Sequence, residues 1–186
     1  VADEFREIFG RDAGGLVRSY RTGDAETIVV ALGSVNGTIQ DTVDALRDEG
    51  VPVGSVSVCS FRPFPLEALA AALGDARRVV VLEKNLAPGL GGAFASNVRM
   101  ALRAHPLPVH TVIAGLGGRA ITGASIARVL RAAQRGELED THFLDLNWDA
   151  IDREVARWGE RRRSGPSAEN LLRDLAAVAP PMRRVV

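Results

Sequence analysis

Two short turns carry the residues of this chain best suited to chemistry. The first is Phe61-Arg62-Pro63-Phe64-Pro65, placed between a β-branched run and a helix-like run. Its prolines stiffen the turn and fix where Arg62 points. A planar guanidinium held still suits a carboxylate or phosphate, gripped as a fork. The same residues also allow Arg62 to pair with an acidic residue at a domain or subunit face, while Phe61 and Phe64 plug a core. The second turn is Gly115-Leu116-Gly117-Gly118-Arg119. Its glycines let the backbone approach another surface closely. Arg119 there either binds an anion, such as a phosphorylated cofactor, or the turn packs on a neighbouring subunit. Close backbone approach serves both.

Other groups carry weaker signals. Gly33-Ser34-Val35-Asn36-Gly37 follows a strand-like run. Ser34 and Asn36 would sit at a helix N-terminus, where free N–H groups and the helix dipole favour an anion. No lysine follows to make a Walker loop, and no Gly-x-Gly-x-x-Gly spacing is present, so a structural turn is the competing reading. Lys84, the chain's single lysine, ends a strand in Glu83-Lys84-Asn85 and reaches either the same sheet edge as Arg62 or plain solvent. Cys59 reads as a small core residue rather than a nucleophile. His105, His110 and His142 lack metal-ligand spacing, and no Ser/His/Asp set stands out. The acidic residues read as scattered helix-surface charge.

The elements that must position these groups repeat one rhythm. Residues 27–32 read as a buried strand, followed by a helix with Ile39, Val43 and Leu46 on one face and Gly50 as its stop. Residues 51–58 read as a second strand, and Pro65 opens a helix over Leu66–Leu73. Residues 79–82 form a third strand, 87–92 a glycine-rich turn and 93–103 a helix. Residues 109–114 form a fourth strand and 125–135 a helix with Ile126, Val129 and Leu130 inward. Strand–turn–helix four times over predicts an α/β fold, a three-layer α/β/α domain with a mostly parallel sheet. Near-continuous apolar strands fit burial on both faces.

The flanks differ. Residues 1–26 read as an arm or linker from a preceding domain, with a short helix over 4–9. The α/β domain spans 27–146, and 147–186 form a helical tail. In that region 141–146 read as a strand or strap, 151–158 as helix, 161–166 as linker, and 168–177 as a last helix capped by Ser167.

The totals exclude several function classes. The 186 residues are 46% apolar, enough for a real core, and 23 basic residues balance 23 acidic ones. No basic surplus favours nucleic acid or a membrane surface. One cysteine cannot make an internal disulfide or hold an iron–sulfur cluster, which takes four ligands. No apolar run of ~18 residues marks a membrane span. A soluble, cytoplasmic chain is expected, and its start at Val1 suggests a piece of a longer polypeptide.

Taken in order, Asp24-Ala25-Glu26, Val29-Val30-Ala31-Leu32-Gly33-Ser34, Gly50-Val51-Pro52-Val53-Gly54, the Arg62 turn, Pro88-Gly89 and the Ile113 to Thr122 stretch resemble a known family. It is the alpha subunit of pyruvate:ferredoxin oxidoreductase and its 2-oxoacid relatives. The resemblance covers residues 5–135 and falls on that subunit's C-terminal half, a domain similar to the C-terminal domain of transketolase. It implies about five strands in the sheet. It also implies an enzyme that decarboxylates a 2-oxoacid on thiamine diphosphate with magnesium, passes electrons through iron–sulfur clusters to ferredoxin, and makes an acyl-CoA.

In such enzymes thiamine diphosphate sits between the alpha subunit's N-terminal domain and the beta subunit. No catalytic residue, no metal ligand and no cofactor bound by this chain alone is therefore expected. The implied partners are that N-terminal domain and the beta, gamma and ferredoxin-like subunits, separate or fused. Pyruvate is the substrate by resemblance, with 2-oxoglutarate, branched 2-oxoacids and indolepyruvate open. Within such an enzyme Arg62, Ser34, Asn36, Lys84, Gly117, Gly118 and Arg119 would serve subunit assembly or contact substrate or CoA. A stand-alone nucleotide-binding or regulatory module on the same sheet is the alternative.

Overall fold

The computed structural model describes residues 1–11 and 14–161. The chain divides into one unit spanning Val1–Asp145 and a second beginning at Leu146. In the first, α1 (Ala2–Phe9) and β1 (Val17–Tyr20) precede β2 (Thr27–Leu32), α2 (Val35–Asp48), β3 (Val53–Val58) and α3 (Leu66–Leu73). Then follow β4 (Arg78–Glu83), α4 (Ala93–Ala101), β5 (Val109–Ile113), a short 3-10 turn at Leu116–Gly118, α5 (Gly123–Gln134) and β6 (Thr141–Phe143).

The strands form one sheet in the order β1-β3-β2-β4-β5-β6. β2 to β6 run parallel, and only β1 is antiparallel, on β3. Apolar side chains leave both faces of β2, because successive residues of a strand point opposite ways. Val29 and Ala31 join Val80, Leu82 and Val112 in one core, covered by α2 through Ile39, Val43 and Leu46 and by α5 through Ile126 and Leu130. Ile28 and Val30 join Val79 and Val81 in the other, covered by α3 through Leu69 and Leu73 and by α4 through Phe94 and Val98. The result is three layers, helix over sheet over helix.

The chain winds from β2 outward to β3, then crosses back past β2 to β4. β2 and β4 therefore send their following helices to opposite faces, α2 to one and α4 to the other. In doubly wound sheets the crevice outside the strand C-termini at such a switch is where ligands bind.

Two expectations change. The sheet has six strands rather than about five, and the sixth comes from the region read as an arm. β1 was hidden because it is an edge strand: Val17 and Tyr20 are half-buried while Arg18 and Ser19 are exposed, so no apolar run marks it. The helix expected over 93–103 ends at Ala101, with Leu102 at its cap.

The second unit contains α6 (Trp148–Arg161), where helix was expected over 151–158. The Asn147 side chain accepts from the Ala150 N–H at 3.0 Å and opens it. The remainder of the expected linker at 161–166 and the expected helix at 168–177 with Ser167 lie outside the described residues. No helix among the described residues is long and apolar enough to cross a membrane.

Candidate functional site

All seven sequence candidates stand at the C-terminal edge of the parallel strands. Arg62 follows β3, Ser34 and Asn36 follow β2, Lys84 follows β4, and Gly117, Gly118 and Arg119 follow β5. Strands lie ~4.8 Å apart in a sheet. The loop of Arg62 is thus two strands from that of Lys84 and three from that of Arg119, roughly 10 and 14 Å. Lys84 and the Arg119 turn follow neighbouring strands, and Arg62 stands apart from both along the edge.

Arg62 is exposed and folded back on its own turn. Its guanidinium carbon lies 4.1 Å from the Phe61 ring centroid. Its Nη1 donates to the Phe61 carbonyl at 2.7 Å and to Asn97 Oδ1, on α4, at 3.4 Å. The acidic partner considered from sequence is absent among the described residues. Phe64 is half-buried against the α3–α4 core and meets Phe94 at 6.1 Å between ring centroids. Phe61 remains largely at the surface, 6.2 Å from Phe64, so only Phe64 plugs the core.

Lys84 and the Arg119 turn come together. A Cβ on Gly115 would lie 3.1 Å from Lys84 Cε and 3.1 Å from Ile121 Cδ1. Lys84 thus lays its stem across Gly115, and the missing side chain makes room for it. Gly115, Gly117 and Gly118 all take positive φ, 70°, 67° and 80°, a region that other L-residues enter at a cost. Arg119 leaves the turn extended, at φ −61° and ψ 134°, and is exposed.

At the start of α2, Ser34 is exposed and its side chain makes no capping hydrogen bond. Asn36 Nδ2 donates to the Gly33 carbonyl at 2.8 Å. Its Oδ1 is buried without a partner among the described residues.

Sequence reasoning missed the group that shapes this edge most. Glu83, read with Lys84 and Asn85 as a strand end reaching the Arg62 edge or a solvated loop, is 7% exposed. Its carboxylate accepts from the Phe94 and Ala95 N–H groups, both at 3.0 Å. It therefore fills the N-terminus of α4, where orphan N–H groups and the helix dipole both favour negative charge. A Cβ on Gly92 would fall on Glu83 Oε1, so Gly92 is needed for space. A Gly-Gly pair opening a helix just after a strand-end Glu was the available signal.

Asp145 departs from the surface-charge reading. It accepts from Ser125 Oγ and is paired with Arg128, tying the end of β6 to α5. Thr122 caps the same helix by accepting from the Ser125 N–H at 3.1 Å. Cys59, expected in the core, is exposed at the end of β3; its backbone N–H donates to the Leu16 carbonyl, and the side chain projects past the covered strand.

These side chains do not fit a metal or cluster. Among the described residues no group of three or more His, Cys, Asp or Glu could hold a metal ion. The whole chain has one cysteine.

Residues 25–126 match the family described as pyruvate:ferredoxin oxidoreductase core domain II. The span runs from the approach to β2 into α5 and takes in both arginine turns. This chain belongs to that family.

Its relatives extend well beyond this domain. Pyruvate synthase subunit PorA of Methanothermobacter thermautotrophicus is 44% identical over 134 residues, 72% of this chain and 34% of the relative. The PorA of Thermotoga maritima is 41% identical over 151 residues, 78% of this chain and 38% of the relative. Ketoisovalerate oxidoreductase subunit VorA of Pyrococcus horikoshii is 36% identical over 160 residues, 82% of this chain and 39% of the relative. The core domain II chain thus spans somewhat over a third of the length of these relatives. A solved split-gene transketolase, an inactive beta4 tetramer, shares the fold at TM-score 0.50 and 22% identity, over 63% of this chain and 41% of that one.

Proposed function

We propose that this chain is the non-catalytic C-terminal domain of the alpha subunit of a thiamine-diphosphate-dependent 2-oxoacid:ferredoxin oxidoreductase. The whole enzyme converts a 2-oxoacid and CoA to acyl-CoA and CO2, and ferredoxin takes the electrons. Pyruvate is the proposed substrate, since the relatives of 41–44% identity described above are pyruvate synthase subunits.

The observation that carries the non-catalytic role is the composition of the strand-end face. It offers arginine, lysine and glycine, but no nucleophile–base pair and no metal-ligand group among the described residues. Arg62, Ser34, Asn36, Lys84, Gly117, Gly118 and Arg119 line a surface for assembly. Thiamine diphosphate, magnesium, the iron–sulfur clusters and CoA belong to the companion parts: the alpha N-terminal domain and the beta, gamma and ferredoxin-like subunits. The enzyme works in the cytoplasm.

The test is reconstitution. The parent polypeptide, intact or lacking residues 27–186, is combined with its companion subunits and assayed for CoA-dependent, 2-oxoacid-driven dye reduction. Turnover by the intact assembly alone, with the isolated chain inert, is the expected result. Equal turnover by the truncated assembly refutes the role. Tight nucleotide binding by the isolated chain would put the stand-alone module in its place.

A further inference from the structure

The charge on the two edges of the sheet is opposite. The four loops leaving the C-terminal ends of β2, β3, β4 and β5 (33–34, 59–65, 84–92 and 114–122) contain Arg62, Lys84 and Arg119 and no Asp or Glu. Of the carboxylates flanking these loops, Glu83 is held by the α4 N–H groups and Asp145 by Ser125 and Arg128, while Glu67, in the first turn of α3, is exposed. The loops at the other edge (21–26, 49–52, 74–77, 102–108 and 135–140) hold seven carboxylates against four arginines.

Lys84 and Arg119 have no ion-pair or hydrogen-bonding side-chain partner among the described residues. The same loops expose large apolar side chains: Leu90 is 63% exposed, Leu116 42%, and Phe61 and Leu86 37% each. Four large apolar groups among three cations on glycine-rich backbone make a surface that a flat partner can approach closely.

We infer that the strand-end face docks an acidic protein surface, with Lys84 and Arg119 as the charges that select it. This rests on the alpha-subunit reading above and supplies the partner's chemistry: carboxylates spaced along a row, interleaved with apolar groups. A small anion fits less well. Lys84 and Arg119 follow neighbouring strands, but the loop of Arg62 stands roughly 10 to 14 Å along the edge from theirs, so one phosphate does not span all three, and exposed leucines add nothing to an anion's affinity. Nucleic acid is disfavoured by a net charge of zero and a carboxylate-rich opposite edge. Complementary charge sets partner choice and encounter rate, and salt weakens it.

Lys84 gives a direct probe, being the chain's single lysine. The assembled enzyme, the parent polypeptide with its companion subunits, is treated with an amine-acetylating reagent. The rate at Lys84 is read by mass spectrometry against the same peptide in 6 M urea, on the order of the usual denaturing range. At least tenfold slower acetylation in the enzyme is expected, and a rate within about twofold of the unfolded chain overturns the inference.

The second arm follows assembly by sedimentation at low and high NaCl. Lys84→Glu/Arg119→Glu should weaken association at least tenfold; where the partner lies in the same polypeptide, Arg119→Glu alone should speed acetylation of Lys84. Lys84→Met/Arg119→Met should fall between it and the wild type. Protection of Lys84 without any effect of charge reversal overturns the acidic partner. Protection brought about by inorganic pyrophosphate in the parent polypeptide alone overturns it in favour of a small-anion site. Loss of 2-oxoacid turnover in the wild-type assembly would instead strike the functional reading, which the acetylation readout does not use.

Discussion

Gly92 and Glu83 are coupled by space, and the coupling has a measurable size. Gly92 has φ −78° and ψ 120°, which alanine adopts freely. By conformation alone, Gly92→Ala should stabilise by ~0.4–1 kcal/mol through a less flexible unfolded chain. Space reverses the sign. The new Cβ falls on Glu83 Oε1 and comes within 3.0 Å of Thr111 Cγ2. The carboxylate must then leave the Phe94 and Ala95 N–H groups, which are buried behind it. Each buried donor left unpaired costs about 1–3 kcal/mol, so with two donors and the conformational gain set against them Gly92→Ala should cost ~1–5 kcal/mol net, about 3 at the centre. Glu83→Ala costs a similar amount, because it orphans the same donors. In that background the carboxylate is gone and Gly92→Ala meets only Thr111, so its added cost should fall below ~1 kcal/mol. The cycle thus predicts a coupling of about 2 kcal/mol, within the range for residues in contact. Urea unfolding followed by far-UV circular dichroism reads it as midpoint shifts, about 1 M for 2 kcal/mol at an m-value near 2 kcal/mol/M. Additivity within ~0.5 kcal/mol would refute the reasoning.

Three further outcomes are expected. Tyr20 donates to Asp44 at 2.8 Å and ties β1 to α2, so Tyr20→Phe should lower stability by ~1 kcal/mol; an unchanged urea midpoint would remove that tie. Arg47 hydrogen-bonds Asp24 and holds its carboxyl below the ordinary value of 3.8. A lowered folded-state pKa gives stability that is full above the unfolded value and is lost as pH falls through the folded one. Wild type should therefore lose more stability than Asp24→Asn between about pH 4 and pH 2, and parallel acid titrations would contradict the pairing. Gly115→Ala should cost more than Gly117→Ala. Both have positive φ, at a strain of ~1–2 kcal/mol, but only the Gly115 Cβ meets Lys84 and Ile121; equal urea midpoints would argue against the Lys84 placement.

Local chemistry made much of the fold legible before any coordinates. Thr27–Leu32 is apolar almost throughout because both its faces are covered. Ile39, Val43 and Leu46 recur at helical spacing because one face of α2 meets the sheet. The arginine turns stood out because proline and glycine mark loops by their own backbone limits. What sequence could not show depends on register between distant segments. Glu83 reaches α4 only because β4 ends where that helix begins. Arg62 rests against Asn97, 35 residues away. β1 shows no apolar run because a sheet edge buries few of its side chains.

The same geometry explains why a ligand-prone edge need not be a ligand site. Four helices begin there, and phosphate-binding folds draw their donors from such helix starts. Here the donors are largely spent internally. Glu83 takes those of α4. Thr122 takes one at α5, whose Ser125 is also held by Asp145. At α3 the Leu66 N–H is taken by the Phe64 carbonyl. α2 begins with an uncapped Ser34, and α3 too has no side-chain cap. With the donors of α4 and α5 taken by side chains, the outward functions of this part of the edge fall to Lys84, Arg119 and the exposed leucines. Long cationic and apolar side chains on glycine loops cover area better than they enclose a small molecule, which favours a docking face over a stand-alone nucleotide module.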